Sequence, residues 1–166
     1  MKKQKSSYHE GTLFLVPLRD HGFVRGLVCR ADGKGVVFGH FFGPRIESAI
    51  ALPLDGDLGP SNALLSGCFG ELGITKGAWP IVGELSAFDR RNWPLPVFIR
   101  EVAGQTYARE LNDSLEILSE RKVLVEELPV TTCRDSVMGY GFVEMRLTKL
   151  LSGPPTPDSP PQAPRG

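Results

Sequence analysis

The chain has 166 residues, 41% of them hydrophobic and 23% charged, which is enough for one core and short for two domains of ordinary size. Nineteen basic residues balance nineteen acidic ones, so no overall field draws the chain to a nucleic-acid backbone or an anionic membrane surface. No apolar run approaches the ~20 residues that cross a bilayer.

Residues 1–9 are polar and charged, and no apolar segment of signal-peptide length follows them. They are expected to be a flexible start to a cytoplasmic protein. Thr12 to Val16 is an apolar run ended by Pro17, and Phe23 to Cys29 is another, with Arg19-Asp20-His21-Gly22 between them. Asp20 and Gly22 suit a tight reversal, so the pair predicts a β-hairpin. Gly26 inside the second strand predicts a bend or a close backbone approach. Asp32-Gly33 then turns the chain into a third strand from Val36 to Phe42, making a meander.

Asp55-Gly56-Asp57-Leu58-Gly59-Pro60-Ser61 is a loop. Asn62 to Leu72 predicts a short helix capped by Ser61, with Leu64, Leu65, Cys68 and Leu72 on one face, although Gly67 and Gly70 weaken it. Strand character returns from Trp79 to Leu85, Asp89 to Asn92 is an exposed turn, and Pro96 to Arg100 is a further strand. Tyr107 to Leu111 and Leu115 to Leu118 flank Asn112-Asp113-Ser114, which suits a hairpin turn better than a helix interior. Val123 to Leu128 is expected to be the last strand, closed by Pro129. Phe142 to Leu151 predicts a helix, because Val143, Leu147, Leu150 and Leu151 fall at i, i+4, i+7 and i+8 and form a stripe that docks on a sheet. Lys149 suits its C-terminal end. The segment 152–166 is rich in Pro, Ser and Gly and is expected to be a disordered tail. The expected fold is mainly β (α+β): a single twisted antiparallel sheet or small half-barrel, with the C-terminal helix packed on it and room for one short helix before Trp79-Pro80. Residues 10–151 are expected to form one globular domain.

Cys29, Cys68 and Cys133 are odd in number, widely separated and without a Cys-x-x-Cys pair, so they read as small buried hydrophobes in a reducing compartment. His9, His21 and His40 are equally scattered and read as loop or surface residues. No metal site, cofactor or catalytic constellation is expected.

The pattern Gly11-x-x-Phe14-x-x-Pro17-Leu18, with Gly22 and Phe23 after the hairpin turn, resembles the N-terminal signature of the bacterial immunity protein 26 family. Gly77-x-Trp79-Pro80-Ile81-Val82-Gly83 is similar to that family's central Gly-x-Trp-Pro-x-Ile-Gly motif, with Val82 in place of isoleucine, and Leu95-Pro96-x-Phe98 matches its downstream element. The resemblance spans about residues 10–151. It implies a mostly β protein encoded beside a polymorphic toxin whose activity it blocks by binding, with the cognate toxin as partner and neither nucleic acid nor membrane. Read from their chemistry, Trp79 and Phe98 fill the core, and Gly77 and Gly83 relieve steric strain around their strand. The motif residues therefore mark the fold more than a contact face.

An inhibitory surface needs aromatic and arginine anchors inside a polar rim. Phe88-Asp89-Arg90-Arg91-Asn92-Trp93 brings these together in one turn, against the plainer reading of a solvated loop with Trp93 turned inward. The acidic loop residues Asp55 and Asp57 are a second candidate, able to stand in for phosphates. Two other functions compete. Arg19, Asp20 and His21 in one turn would serve a small β-barrel ribonuclease or hydrolase, although neighbours in a turn point in different directions. A Pro-rich tail would serve a general interaction module.

Overall fold

The computed structural model of the protein describes residues 8–48, 58–129 and 131–152. The first strands, β1 (Thr12–Pro17), β2 (Phe23–Ala31) and β3 (Val36–Ile46), form the expected antiparallel meander. Its second turn is held by Asp32, whose Oδ1 accepts the backbone N–H groups of Lys34 and Val36 at 2.7 and 3.0 Å. After β4 (Leu65–Gly70) and the single-turn helix α1 (Leu72–Thr75) come β5 (Ile81–Glu84), β6 (Val97–Val102), β7 (Gln105–Leu111) and β8 (Ile117–Val123). The short strands β9 (Thr132–Arg134) and β10 (Val137–Met138) lead into helix α2 (Tyr140–Leu151).

The mainly β class with a C-terminal helix is as read from the sequence. The strands divide into a six-stranded sheet, in the order β10-β4-β3-β2-β1-β5, and a four-stranded sheet, in the order β8-β7-β6-β9, and they do not close into a barrel. Two pairings, β10 with β4 and β6 with β9, are parallel. The connection between β9 and β10 thus passes from one sheet to the other.

The first sheet is the middle layer. Its β1 to β3 strands are buried on both faces. On one face Phe14, Val16, Val24, Val28, Phe41 and Phe69 pack with Val143 and Leu147 of α2. On the other, Leu13, Leu27, Cys29, Phe38 and Phe42 pack with Phe98 and Cys133 of the second sheet. Burial on both faces explains why these strands read as continuous apolar runs without polar alternation. Each large apolar side chain so buried contributes about 1.5–3 kcal/mol before its ordering entropy is counted.

The two sequence motifs meet inside this core. Phe14 stacks parallel on Trp79 with centroids 5.6 Å apart, and Phe41 and Phe69 surround the indole. Trp79 is fully buried, and its Nε1 donates to Glu144 of α2 at 3.0 Å, so the one polar atom of the ring is satisfied. Gly77 holds φ +79° just after α1, a left-handed conformation suited to ending a helical turn, and its N–H donates to the Ile74 carbonyl. Gly26 serves a different purpose from the expected bend: a Cβ there would lie 2.3 Å from the Phe14 ring. Leu18 closes the first hairpin by donating its N–H to Gly22, Pro17 ends β1 opposite Phe23, and Gly83 pairs with Leu13. Pro96, partly buried, precedes β6 and its fully buried Phe98.

Several expectations are corrected. The helix expected from Asn62 to Leu72 is largely strand β4, because its residues pair with β3 from Phe41 to Val36, and the helical turn begins only at Leu72. The strand expected from Val123 to Leu128 ends at Val123, and Val125–Glu127 is a 3₁₀ turn. Tyr8, placed in the flexible start, is buried and its hydroxyl donates to Glu71 at 2.5 Å. His40 lies buried within β3 and not on the surface. Asp55 and Asp57, residues 1–7 and the tail from 153 onward lie outside the described residues.

Candidate functional site

The turn at Phe88 to Trp93 divides its residues between core and surface. Trp93 is 3% exposed and packs edge-on against Phe42 and beside His40, so it is no surface anchor. Its indole gains more from the apolar interior than from water. Phe88 is partly buried over Gly11, whose missing Cβ would lie 3.0 Å from it. Asp89 caps the 3₁₀ turn Arg90–Asn92 by accepting the Arg91 N–H at 2.9 Å. The Arg91 guanidinium also bonds to Asp89 at 2.7 Å and holds that carboxyl below the usual carboxylate range.

Arg90 is tied into the fold. It donates to Glu10 at 2.7 and 2.9 Å and to Asp113 at 3.2 Å. Asp113 in turn accepts from Arg30 at 2.7 Å, and Arg30, only 3% exposed, also donates to the Cys29 carbonyl. The cations of the turn are thus neutralised within the molecule, Arg90 half exposed and Arg91, 89% exposed, the further into solvent.

Arg19, Asp20 and His21 do not converge. Arg19 reaches α2, with Nε 3.4 Å from Glu144 and a bond to the Gly141 carbonyl. Asp20 pairs with Arg45 at 2.5 Å, and His21 with Glu47 at 2.9 Å. Arg19 is thus held toward α2, while Asp20 and His21 are both held at the end of β3, and the three act as struts. His40 Nδ1 lies 2.6 Å from Ser66 Oγ, a pair the sequence did not suggest. Burial among Phe38, Phe42 and Trp93 lowers the imidazole to about 4, and Nε2 has no hydrogen-bond partner among the described residues. It is a neutral core group and a poor base. Burial likewise raises the Cys29 and Cys68 thiols to about 12 and Cys133 to about 11, far from nucleophilic thiolates. Among the described residues no cluster of His, Cys, Asp and Glu could hold a metal, and no helix is long and apolar enough to cross a membrane.

A groove of about 710 Å³ opens elsewhere, between α2 and the segment that crosses from β9 to β10. Its floor is Leu65 to Gly67 of β4, its far wall is Thr132, Cys133, Arg134, Ser136 and Met138, and its near wall is Phe142, Met145, Arg146 and Lys149. Those last four residues fall at i, i+3, i+4 and i+7, so they form a second helical stripe beside the core stripe of Val143 and Leu147. Phe142 and Met145 are about half exposed, as is the neighbouring Val137. A cluster of large apolar side chains left in solvent is uncommon on a surface without a use. Arg134, Arg146 and Lys149 add positive charge, no carboxylate lines the groove, and none of the three makes an ion pair among the described residues. The signal available in the sequence was Phe142 and Met145, large apolar residues of α2 lying off its core stripe.

Residues 9–110 match the family model described as immunity protein 26. No curated protein and no solved structure matches the chain. The matched segment holds both motifs, the turn at Phe88 to Trp93 and the groove floor, and the groove walls follow it.

Proposed function

The chain belongs to the immunity protein 26 family, and on that premise we propose that it neutralises a cognate bacterial polymorphic toxin by direct, stoichiometric binding in the cytoplasm, without chemistry of its own. Family membership is the observation that carries this reading. The state of the reactive groups supports it: His40 and the three cysteines are buried in their neutral forms, and Arg19, Asp20 and His21 are engaged with separate partners. The family motifs serve the core, with Phe14 on Trp79, so the toxin meets other residues. On the turn, Arg91 and Asp89 with the edge of Phe88 are the accessible contact candidates, and Arg90 positions them.

Co-expression with the toxin gene adjacent to its own tests the reading. Survival of the host together with a one-to-one complex on size exclusion is expected. Death of the host with no complex between the purified proteins sinks it.

A further inference from the structure

The groove under α2 differs from the turn in the way that matters for recognition. On the turn, Arg90 faces Glu10 and Asp113 and Arg91 faces Asp89, so a partner must compete with internal acids. At the groove, Arg134, Arg146 and Lys149 surround an apolar floor and wall, with no acid among the lining residues. Cations without an ion-pair partner among the described residues, beside a water-exposed apolar trough, attract carboxylates and, once these dock, strengthen as water leaves. The trough itself suits an extended chain. β10 covers β4 only at Cys68 and Phe69, so the edge at Leu65 to Gly67 lies on the floor without a strand partner among the described residues.

We propose that this groove is where the toxin docks, and that it takes an extended toxin segment in which carboxylates alternate with large apolar side chains. The proposal rests on the immunity reading. Phe142 and Met145 receive the apolar side chains while Arg134, Arg146 and Lys149 receive the carboxylates. A nucleic-acid strand fits less well, because three cations over an apolar floor give few phosphate contacts and the whole chain is neutral.

The test uses the full-length chain with Arg146→Glu plus Lys149→Glu, both at exposed positions, and Arg121→Glu, on the exposed β8 at the opposite edge of the second sheet from β9, as the comparison. Two ligands are titrated: the purified product of the adjacent toxin gene, and a labelled peptide of alternating Asp or Glu with Leu or Phe. The groove double variant is expected to keep its circular dichroism spectrum, to melt only a few degrees lower because Lys149 sits at the C-terminal end of α2, and to lose about tenfold or more in affinity for both ligands. Arg121→Glu is expected to leave the binding of both ligands unchanged, and raised salt to weaken the wild type more than the double variant. Toxin affinity unchanged in the double variant overturns the docking site. So does an RNA oligomer displacing the peptide, peptide binding that appears only after residues 153–166 are removed, or a groove-dependent dimer of the chain. If the wild type binds the peptide through Arg146 and Lys149 but forms no toxin complex, the immunity reading fails while the recognition chemistry of the groove stands.

Discussion

At the scale of single residues, the core is built around aromatic contacts that leave glycine the sole fit at Gly26. Gly26→Ala puts a methyl within 2.3 Å of the Phe14 ring and is expected to cost about 1–3 kcal/mol by chemical denaturation. Phe14→Leu in the same chain should recover part of that loss, a non-additivity that a double-mutant cycle reads directly. His40 makes stability pH-dependent. The unfolded chain takes up this proton near the ordinary value of 6.5 and the folded chain only near 4, so between those values the unfolded state binds more protons. Stability contributed by neutral His40 is full above pH 6.5 and falls as pH drops toward 4, by about 2 kcal/mol between pH 7 and pH 5. His40→Leu should remove that component, seen as a smaller drop in urea midpoint over the same interval. A histidine in a strand carries no sequence mark of burial, which is why His40 read as a surface residue. The aromatic motif residues did carry one, since large apolar side chains seldom find a better place than the interior.

Elements are held by charges that sequence order does not bring together. Glu10, Arg30, Arg90 and Asp113 link the start of β1, strand β2, the 3₁₀ turn and the β7–β8 turn. Asp113→Ala removes the nearest acid from the buried Arg30 and is expected to cost about 1–3 kcal/mol, while Arg90→Ala, at a half-exposed pair, should cost less than about 1 kcal/mol. Melting curves of the two variants check the order. Arg109 is tied in the same way between Glu120 of β8 and Asp135. The exposed β8 carries Glu120, Arg121 and Lys122, charges that discourage pairing with another chain at the open edge. The hairpins were legible because Asp20, Gly22, Asp32 and Asn112 shape turns locally. Strand β4 was not, since Leu64, Leu65, Cys68 and Leu72 mimic helical spacing and only pairing with β3 decides between the two. Strands β9 and β10 have three and two residues, too few to show any period.

At the scale of the whole molecule, the middle sheet is covered by α2 on one side and the second sheet on the other, leaving the seam between α2 and the β9–β10 crossing as the groove. Under the proposed function, removing residues 153–166 should leave the toxin complex within about twofold of the full-length affinity, since every groove and turn residue precedes the deletion. A loss of binding on deletion would instead favour the tail as the recruiting element. The mainly β class, the meander, the C-terminal helix and the family were all legible in the sequence by itself, because apolar runs, turn residues and ordered motifs act over a few residues each. The division into two sheets, the inward turn of Trp93, the neutral buried His40 and the groove were decided only by tertiary structure. Each depends on contacts between residues far apart in the chain, and no local pattern says which face of a strand, turn or helix will be left uncovered.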